Sequence, residues 1–502
     1  MERLSNRSLP ALPRHVARPA YGRDGLPVRI VHLGAGTFHR SHQAVYTDEA
    51  MQAGDARWGI LAASLRNPAI GQALTPQDGL YTLLLRNHGQ TSARVIGSLA
   101  GIACLADQRH EVLAALAAPQ TEIVTLTITR RGYCYDPALG GLDTALPELE
   151  LDLNAPQGAR SALGVLALAI LQRKKAGLAP FTLLSCDNLP ANGKMLQHAL
   201  EQYLDRVQHD LGDPGLLRYF MEQYACPCTL VDRITPPARA ADLAEAENLL
   251  GLHDAAPVAA EPFSQWVIQD WFSAGRPRWE HAGALFTAHV IHYEQMRQRL
   301  LDASYCALGY LGAIAGYATV HSAMRDPEIR QFVSGLMDDA GATLARRTGV
   351  DWRDYKNQLL ERLGNTSLEL QISQLTMDGS QILPASIIEP ARERLAHGLG
   401  MERHAMVLAA WIRFLTGLNE RQEELFVNDP LRQRLDQALR DAGGRGASAC
   451  DLTDAVLSIE EIFGAAPLRD LEFVRCVAAA LESLLAMRVR PSLAGINAGR
   501  PV

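Results

Sequence analysis

V-H-L-G-A-G-T-F-H-R-S-H, residues 31–42, follows an apolar start at P-V-R-I (27–30) and reads as a strand, a glycine turn and the opening of a helix. A glycine turn after a first strand is where the phosphates of a dinucleotide sit. Gly34 and Gly36 supply the tight turn and the close backbone approach, and the amides of Thr37–Arg40 can hold the anion. The G-x-G-x-x-G pattern is incomplete, because His39 stands where the third glycine belongs. Taken alone these residues fit either a cofactor loop or an ordinary strand–helix turn; their place on the first strand favours the loop.

Working outward, the second strand ends S-L-R-N-P-A (64–69), without the acid that binds an adenosine ribose. Arg66 and Asn67 stand there instead. Arg66 either accommodates a 2′-phosphate, or stacks on adenine or faces solvent, so the cofactor expected is NAD or NADP. Val28–Leu33, Gly59–Leu65, Arg94–Ser98, Glu122–Thr129 and Phe181–Cys186 read as strands, and Ser41–Gly54, Asp107–Ala117 and Ala159–Gly177 as helices between them. That alternation predicts a mostly parallel, doubly wound sheet. Residues 141–157 read as an insertion or loop with an acidic face. From Leu285 onward helical periods dominate: Tyr293–Arg325, Glu328–Thr348, Met401–Gly417 and Asp470–Arg488. The expected fold is an α/β Rossmann-type N-terminal domain, residues 1–284, plus a mostly α-helical C-terminal domain, residues 285–502. The ligand site is expected in the cleft beyond the carboxyl ends of the strands.

The 502 residues, 48% hydrophobic and 21% charged, describe a soluble globular protein long enough for more than one domain. A net charge of −7 with scattered basic residues argues against nucleic acid or an acidic membrane as partner and for a small molecule. Among the eight cysteines, Cys226 and Cys228 form a C-x-C pair with no second pair at ligand spacing, so no metal is expected. Cys104, Cys134, Cys186 and Cys306 lie in apolar runs and read as core thiols of a reducing, cytoplasmic setting. The N-terminus, M-E-R-L-S-N-R-S-L-P, shows no signal-peptide core, and no apolar run reaches membrane-spanning length.

Several stretches together carry a resemblance: G-A-G-T-F-H-R-S-H-Q-A (34–44), L-T-P-Q-D-G-L-Y-T-L (74–83), S-C-D-N-L-P-A-N-G (185–193), V-D-R-I-T-P (231–236), E-P-F-S-Q-W-V-I (261–268), Y-E-Q-M-R-Q-R-L-L-D-A-S-Y (293–305) and I-E-E-I-F-G (459–464). The chain resembles the polyol-specific long-chain dehydrogenases, the family of mannitol 2-dehydrogenase and fructuronate reductase, over nearly its whole length. The resemblance implies hydride transfer between a nicotinamide and a secondary alcohol or ketone, without metal, in a monomer or weak homo-oligomer. It implies cofactor contacts at Gly34, Gly36, Thr37, Phe38, Arg66, Asn67 and Asp232. The family's catalytic helix runs approximately Y-E-x-M-K-x-x-L-L-N-x-S-H, with the lysine as general base, the histidine and asparagine placing the substrate oxygen, and an earlier asparagine in S-C-D-N assisting.

Of these four identities only the last survives, as Asn188; the others are Arg297, Asp302 and Tyr305. Where the family places a substrate-touching arginine and lysine, this chain has Gln374 and Ile382, and I-T-R-R-G-Y (128–133) puts Arg130 where an acid is common. At roughly 100° per residue, positions 297, 302 and 305 fall at about 0°, 140° and 80°, one broad helix face. Arginine, with a pKa above about 12, is a poor proton shuttle and a good clamp for a planar anion. Arg297 therefore either anchors substrate or pairs internally with Asp302, and the proton falls to Tyr305 or Asp302. The changed pocket implies a substrate other than mannitol, smaller, less hydroxylated or anionic. The alternatives are a nucleotide-binding protein that has lost dehydrogenase chemistry (a sensor, a partner subunit or a non-redox enzyme), or an epimerase that recycles bound cofactor.

Overall fold

The run Val28–Leu33 forms β1, the centre of a five-stranded sheet with β2 (Gly59–Ser64), β3 (Leu99–Cys104), β4 (Ile123–Leu126) and β5 (Thr182–Ser185). The order is β3-β2-β1-β4-β5 with every neighbouring pair parallel, a Rossmann arrangement. Helices on both faces bury it, so β4 and β5 are inaccessible along their entire length and read as unbroken apolar runs. The computed structural model describes residues 1–136, 140–344, 350–464 and 471–499. The chain divides into two compact units, Met1–Ile291 and His292–Val502.

Two expectations for the first unit are corrected. Arg94–Ser98 is not a strand of the parallel sheet. Gln90–Ile96 pairs antiparallel with Tyr81–Asn87, and Val258–Ala260 adds a third strand beside them. His88 and Gly89, both at positive φ, make the two-residue turn that such a hairpin requires. The parallel position belongs to L-A-G-I-A-C (99–104), whose small residues give little strand signal. Segment 141–157, expected as an insertion or loop with an acidic face, is in part helical and not a loop. Pro147 opens a helix, Pro147–Asn154, and its Asp152 is buried, accepting hydrogen bonds from the amides of Arg160 (2.8 Å) and Ser161 (2.7 Å).

The second unit is helical. The expected helix Tyr293–Arg325 is Val290–Arg297, a π-helical turn Gln298–Asp302, and Ala303–Ala315, broken at Gly316 before Val320–Met324. A second π-helical turn, Pro384–Ile388, packs on the first; Pro384 and Pro390 remove amides from the regular ladder there. Glu402–Leu415 and Leu471–Ala486 follow the expected amphipathic patterns. The predicted ends at Thr348 and Asp470 lie outside the described residues.

Both units bury imidazoles. Burial pushes His32, His42 and His404 down to about 3, and holds His39 well below the ordinary histidine range. All four are therefore neutral when folded and take up protons near pH 6.5 when unfolded. The unfolded state binds more protons below that pH, so stability rises with pH between about 3 and 6.5. By pH 5 each of His32, His42 and His404 costs about 2 kcal/mol of folding free energy by this linkage, and His39 acts in the same direction. Urea midpoints at pH 7.5, 6.5 and 5.5 should fall monotonically below pH 6.5; a flat profile would show that these rings are already protonated or solvated in the native chain.

Candidate active site

At the carboxyl ends of β1, β2 and β4 the first unit opens a cavity of ≈ 520 Å³. It lies where the strand order reverses between β1 and β4, the switch point at which such sheets bind ligands. Gly34, Gly36 and Thr37 line it from β1, Arg66 and Asn67 from β2, and Thr127, Thr129 and Arg131 from β4. Gly34 has φ 106°, and a Cβ there would stand 2.0 Å from the Thr127 carbonyl oxygen. Its amide donates to Ala63 O (2.7 Å), and the Thr127 hydroxyl donates to Gly34 O (2.8 Å). Gly36 is different. A Cβ there would meet nothing nearer than 3.8 Å, so its bareness serves open space over the first turn of Thr37–Ser41, whose amides have no partner within the helix.

His39 explains the missing third glycine, whose usual task is to let helix and strand approach. Here the His39 ring lies flat on His32 of β1, with centroids 3.4 Å apart and an 11° tilt. His32 is held in turn by Thr125 Oγ1 (2.7 Å), Thr127 Oγ1 (2.9 Å) and Gly34 O (3.0 Å). Because Gly34 O can only accept, this network places the hydrogen of His32 on Nε2 and leaves Nδ1 to accept from Thr125.

Not every expected cofactor residue reaches this cavity. Phe38 stacks on His42 (5.1 Å), and Asp232 is buried at the end of Thr229–Asp232, paired with Gln265; neither lines the wall. The Asn67 side chain accepts from the Ala69 amide (2.9 Å), closing the turn after β2. Arg131 lines this cavity, and Arg130, expected at the substrate, does not.

Asn188 stands exposed in the bend after β5. Its neighbour Asp187, which sequence reasoning passed over, ties that bend to the β4 loop. The Asp187 carboxylate accepts from the amides of Ile128 and Thr129 (2.9 Å each) and from the Tyr133 hydroxyl (2.7 Å). Burial raises its carboxyl above the ordinary range, and these three donors oppose the rise. Thr129 is at φ 62°, so the loop needs that anchor to keep its backbone conformation. Glu148 was also missed. It contacts Arg66 Nη2 (2.9 Å) and Arg131 Nε (3.7 Å), an acid supplied from a helix outside the alternating core. Pro147 followed by two glutamates is the helix-start signal that could have found it.

In the second unit the Arg297 Nη1 and Asp302 Oδ2 atoms are 3.1 Å apart, both side chains mostly buried. An α-helix would separate positions five apart widely around its axis; the π-helical turn Gln298–Asp302, with its i→i+5 pattern, brings them together. Tyr305, half-buried, lies one turn further on. Gln374 is exposed on Ile372–Leu375, and Ile382, also exposed, is on Gly379–Leu383. Cys226 is buried and Cys228 partly so, both as free thiols, and among the described residues no three histidines, cysteines or carboxylates cluster for a metal. No described helix is long and apolar enough to cross a membrane.

A Rossmann sheet with a glycine cradle at its switch point, joined to a helical unit, defines a nucleotide-dependent oxidoreductase architecture. Family models for the mannitol dehydrogenase Rossmann domain and the mannitol dehydrogenase C-terminal domain match residues 28–281 and 289–485. The chain belongs to the mannitol dehydrogenase family, oxidoreductases acting on CH–OH groups. It is 36% identical to a D-mannonate oxidoreductase of Escherichia coli over 96% of this chain and 98% of that protein. It is 35% identical to a mannitol 2-dehydrogenase of Pyrenophora tritici-repentis, over 96% of this chain and 84% of the other. Among solved structures, the ternary complex of Pseudomonas fluorescens mannitol 2-dehydrogenase with NAD and D-mannitol superposes at a TM-score of 0.85, with 35% identity over 98% of this chain and 99% of that one. A substrate-free D-sorbitol dehydrogenase gives 0.88 at 27% identity, over 98% and 100%.

The two glycines should respond differently to the same substitution. Gly34→Ala, which drives a Cβ into a carbonyl, should cost roughly 1–3 kcal/mol of stability. Gly36→Ala should leave the urea midpoint within about 0.5 kcal/mol of wild type while weakening NADH binding measured by fluorescence. Unchanged NADH binding in folded Gly36→Ala would show that the clearance serves no ligand.

Proposed function

We propose that this chain is an NAD(P)-dependent oxidoreductase interconverting a secondary alcohol and a ketone, with an active site diverged from mannitol chemistry toward an anionic, less hydroxylated substrate. The observation that carries the proposal is the Arg297–Asp302 ion pair at positions where the resemblance puts lysine and asparagine. The first unit, in this assignment, is the dinucleotide-binding domain. Gly36 and Thr37 hold the phosphates, and a bound nicotinamide would supply the hydride. The second unit is the substrate and catalytic domain.

Arg297 cannot act as the base, because a guanidinium does not give up its proton near neutrality. Asp302, a carboxylate against that cation, accepts hydrogen bonds. Tyr305 is then the group with a proton to give, and Asn188 the donor that polarises the reacting oxygen. A guanidinium fork carries more N–H donors than one carboxylate engages, so Arg297 can hold a planar substrate carboxylate while paired with Asp302, which a neutral hexitol would not exploit. D-Mannonate, named for one of the relatives, is such a carboxylate. The apolar and exposed Ile382 offers no hydrogen bond to a sugar hydroxyl, and each hydroxyl left unpaired in a site costs roughly 1–3 kcal/mol.

The test is a screen of ketoses, hexuronates, phosphosugars and 2-keto acids for NADH and NADPH oxidation. Turnover is expected with an acidic carbonyl compound and little with fructose. Tyr305→Phe should lower kcat about 10²–10⁴-fold with nucleotide binding intact. Arg297→Lys should raise fructose reduction and weaken the acidic substrate. Tight nucleotide binding with no turnover on any carbonyl would overturn the proposal in favour of a protein that has lost the chemistry.

A further inference from the structure

A second cavity, ≈ 500 Å³, adjoins the first and shares Leu65, Arg66 and Gly132 with it. Leu65, Ala106, Leu151 and Ala155 give it apolar walls, and Arg66, Glu148, Asp152 and Arg160 are its charged lining residues. A dinucleotide with its phosphates at Gly34–Thr37 sends its adenosine toward the end of β2, where this cavity opens. The floor there has no acid of its own: β2 runs into Ser64-Leu65-Arg66-Asn67. Arg66, shared by both cavities, and Arg131, on the wall of the first, stand nearby instead, each two-thirds exposed. Left alone, they would make a 2′-phosphate site.

They are not alone. Glu148 reaches from its helix to contact Arg66 Nη2 at 2.9 Å and Arg131 Nε at 3.7 Å. An exposed ion pair of this kind adds little to folding stability. Its effect on a ligand is larger, because a 2′-phosphate would have to enter against a carboxylate that already occupies its cations. A ribose 2′-hydroxyl, by contrast, finds in Glu148 the acceptor that β2 does not provide. The neighbouring Asp152 is less accessible to a ribose: it is buried, with the amides of Arg160 and Ser161 on its two oxygens, whereas the Glu148 side chain is 28% exposed.

We infer that Glu148 is the cofactor-selecting residue: it takes over the ribose-binding task of the absent β2 acid and sets the site for NAD over NADP. The inference rests on the dinucleotide function proposed above and adds its specificity.

Fluorescence titrations of NADH and NADPH on the full chain test it, with displacement by 5′-AMP and 2′,5′-ADP isolating the adenosine end. Wild type should bind NADH and 5′-AMP more tightly than their 2′-phosphorylated counterparts. Glu148→Gln should tighten NADPH and 2′,5′-ADP about tenfold relative to NADH and 5′-AMP, as expected when a repelling charge is removed beside two cations. Adding Arg66→Ala to Glu148→Gln should cancel that gain, an outcome a merely structural role would not produce. A wild-type preference for NADPH, or a ratio unmoved by Glu148→Gln in a chain that still binds NADH, would overturn the role of Glu148 and leave the oxidoreductase proposal standing. Failure of wild type to bind either nucleotide would overturn both.

Discussion

The turn at Gly34 has room for a hydrogen atom and nothing larger. With a Cβ position 2.0 Å from Thr127 O, the backbone leaving β1 is pressed against the backbone leaving β4. The Thr127 hydroxyl and the His32 ring close the same junction by bonding Gly34 O. Everything at the cofactor end depends on that contact. It sets the direction of Thr37–Ser41, brings Thr127–Gly132 to the opposite wall, and through Asp187 fixes the bend carrying Asn188. The stack of His39 on His32 belongs to the same constraint. Flat rings at 3.4 Å permit nearly the approach a glycine would, at the cost of burying imidazoles that must stay neutral.

Much of the fold was legible because the signals were local. β1, β2, β4 and β5 are short apolar runs between helix patterns, and that alternation is enough to specify a parallel sheet. The misplaced strand shows the limit. R-V-I and L-A-G-I-A-C lie three to ten residues apart, and the β-branched run is the stronger strand signal, yet it belongs to the hairpin while the weaker run enters the central sheet. Which sheet a strand joins is decided by tertiary pairing, and period-2 patterns do not carry that information.

The site was legible in proportion to how much of it is contiguous in sequence. Gly34, Gly36, Thr37, Arg66 and Asn67 sit at strand ends and meet at one cavity. Glu148 and Asp187 act over separations of 82 and 59 residues, from Arg66 and Ile128 respectively, and only the folded chain shows whom they touch. The absence of an acid after β2 was visible; its replacement by an acid from another helix was not.

The helix that carries Arg297 and Asp302 makes the same point about register. Straight α-helical counting spreads positions 297 and 302 by about 140°, which allows a shared face but not a contact. The π-helical turn makes the contact and turns two separate substitutions into one. Arginine for lysine keeps the positive charge and loses the ability to move a proton; aspartate for asparagine adds the negative charge that neutralises it. Arginine beside the original asparagine would leave a poorly solvated cation without its partner, a loss of about 3–5 kcal/mol where a buried pair is broken. Together they make an ion pair where the resemblance implies a proton-transferring lysine, which is why the proposed reaction draws its proton from Tyr305 on the same helix.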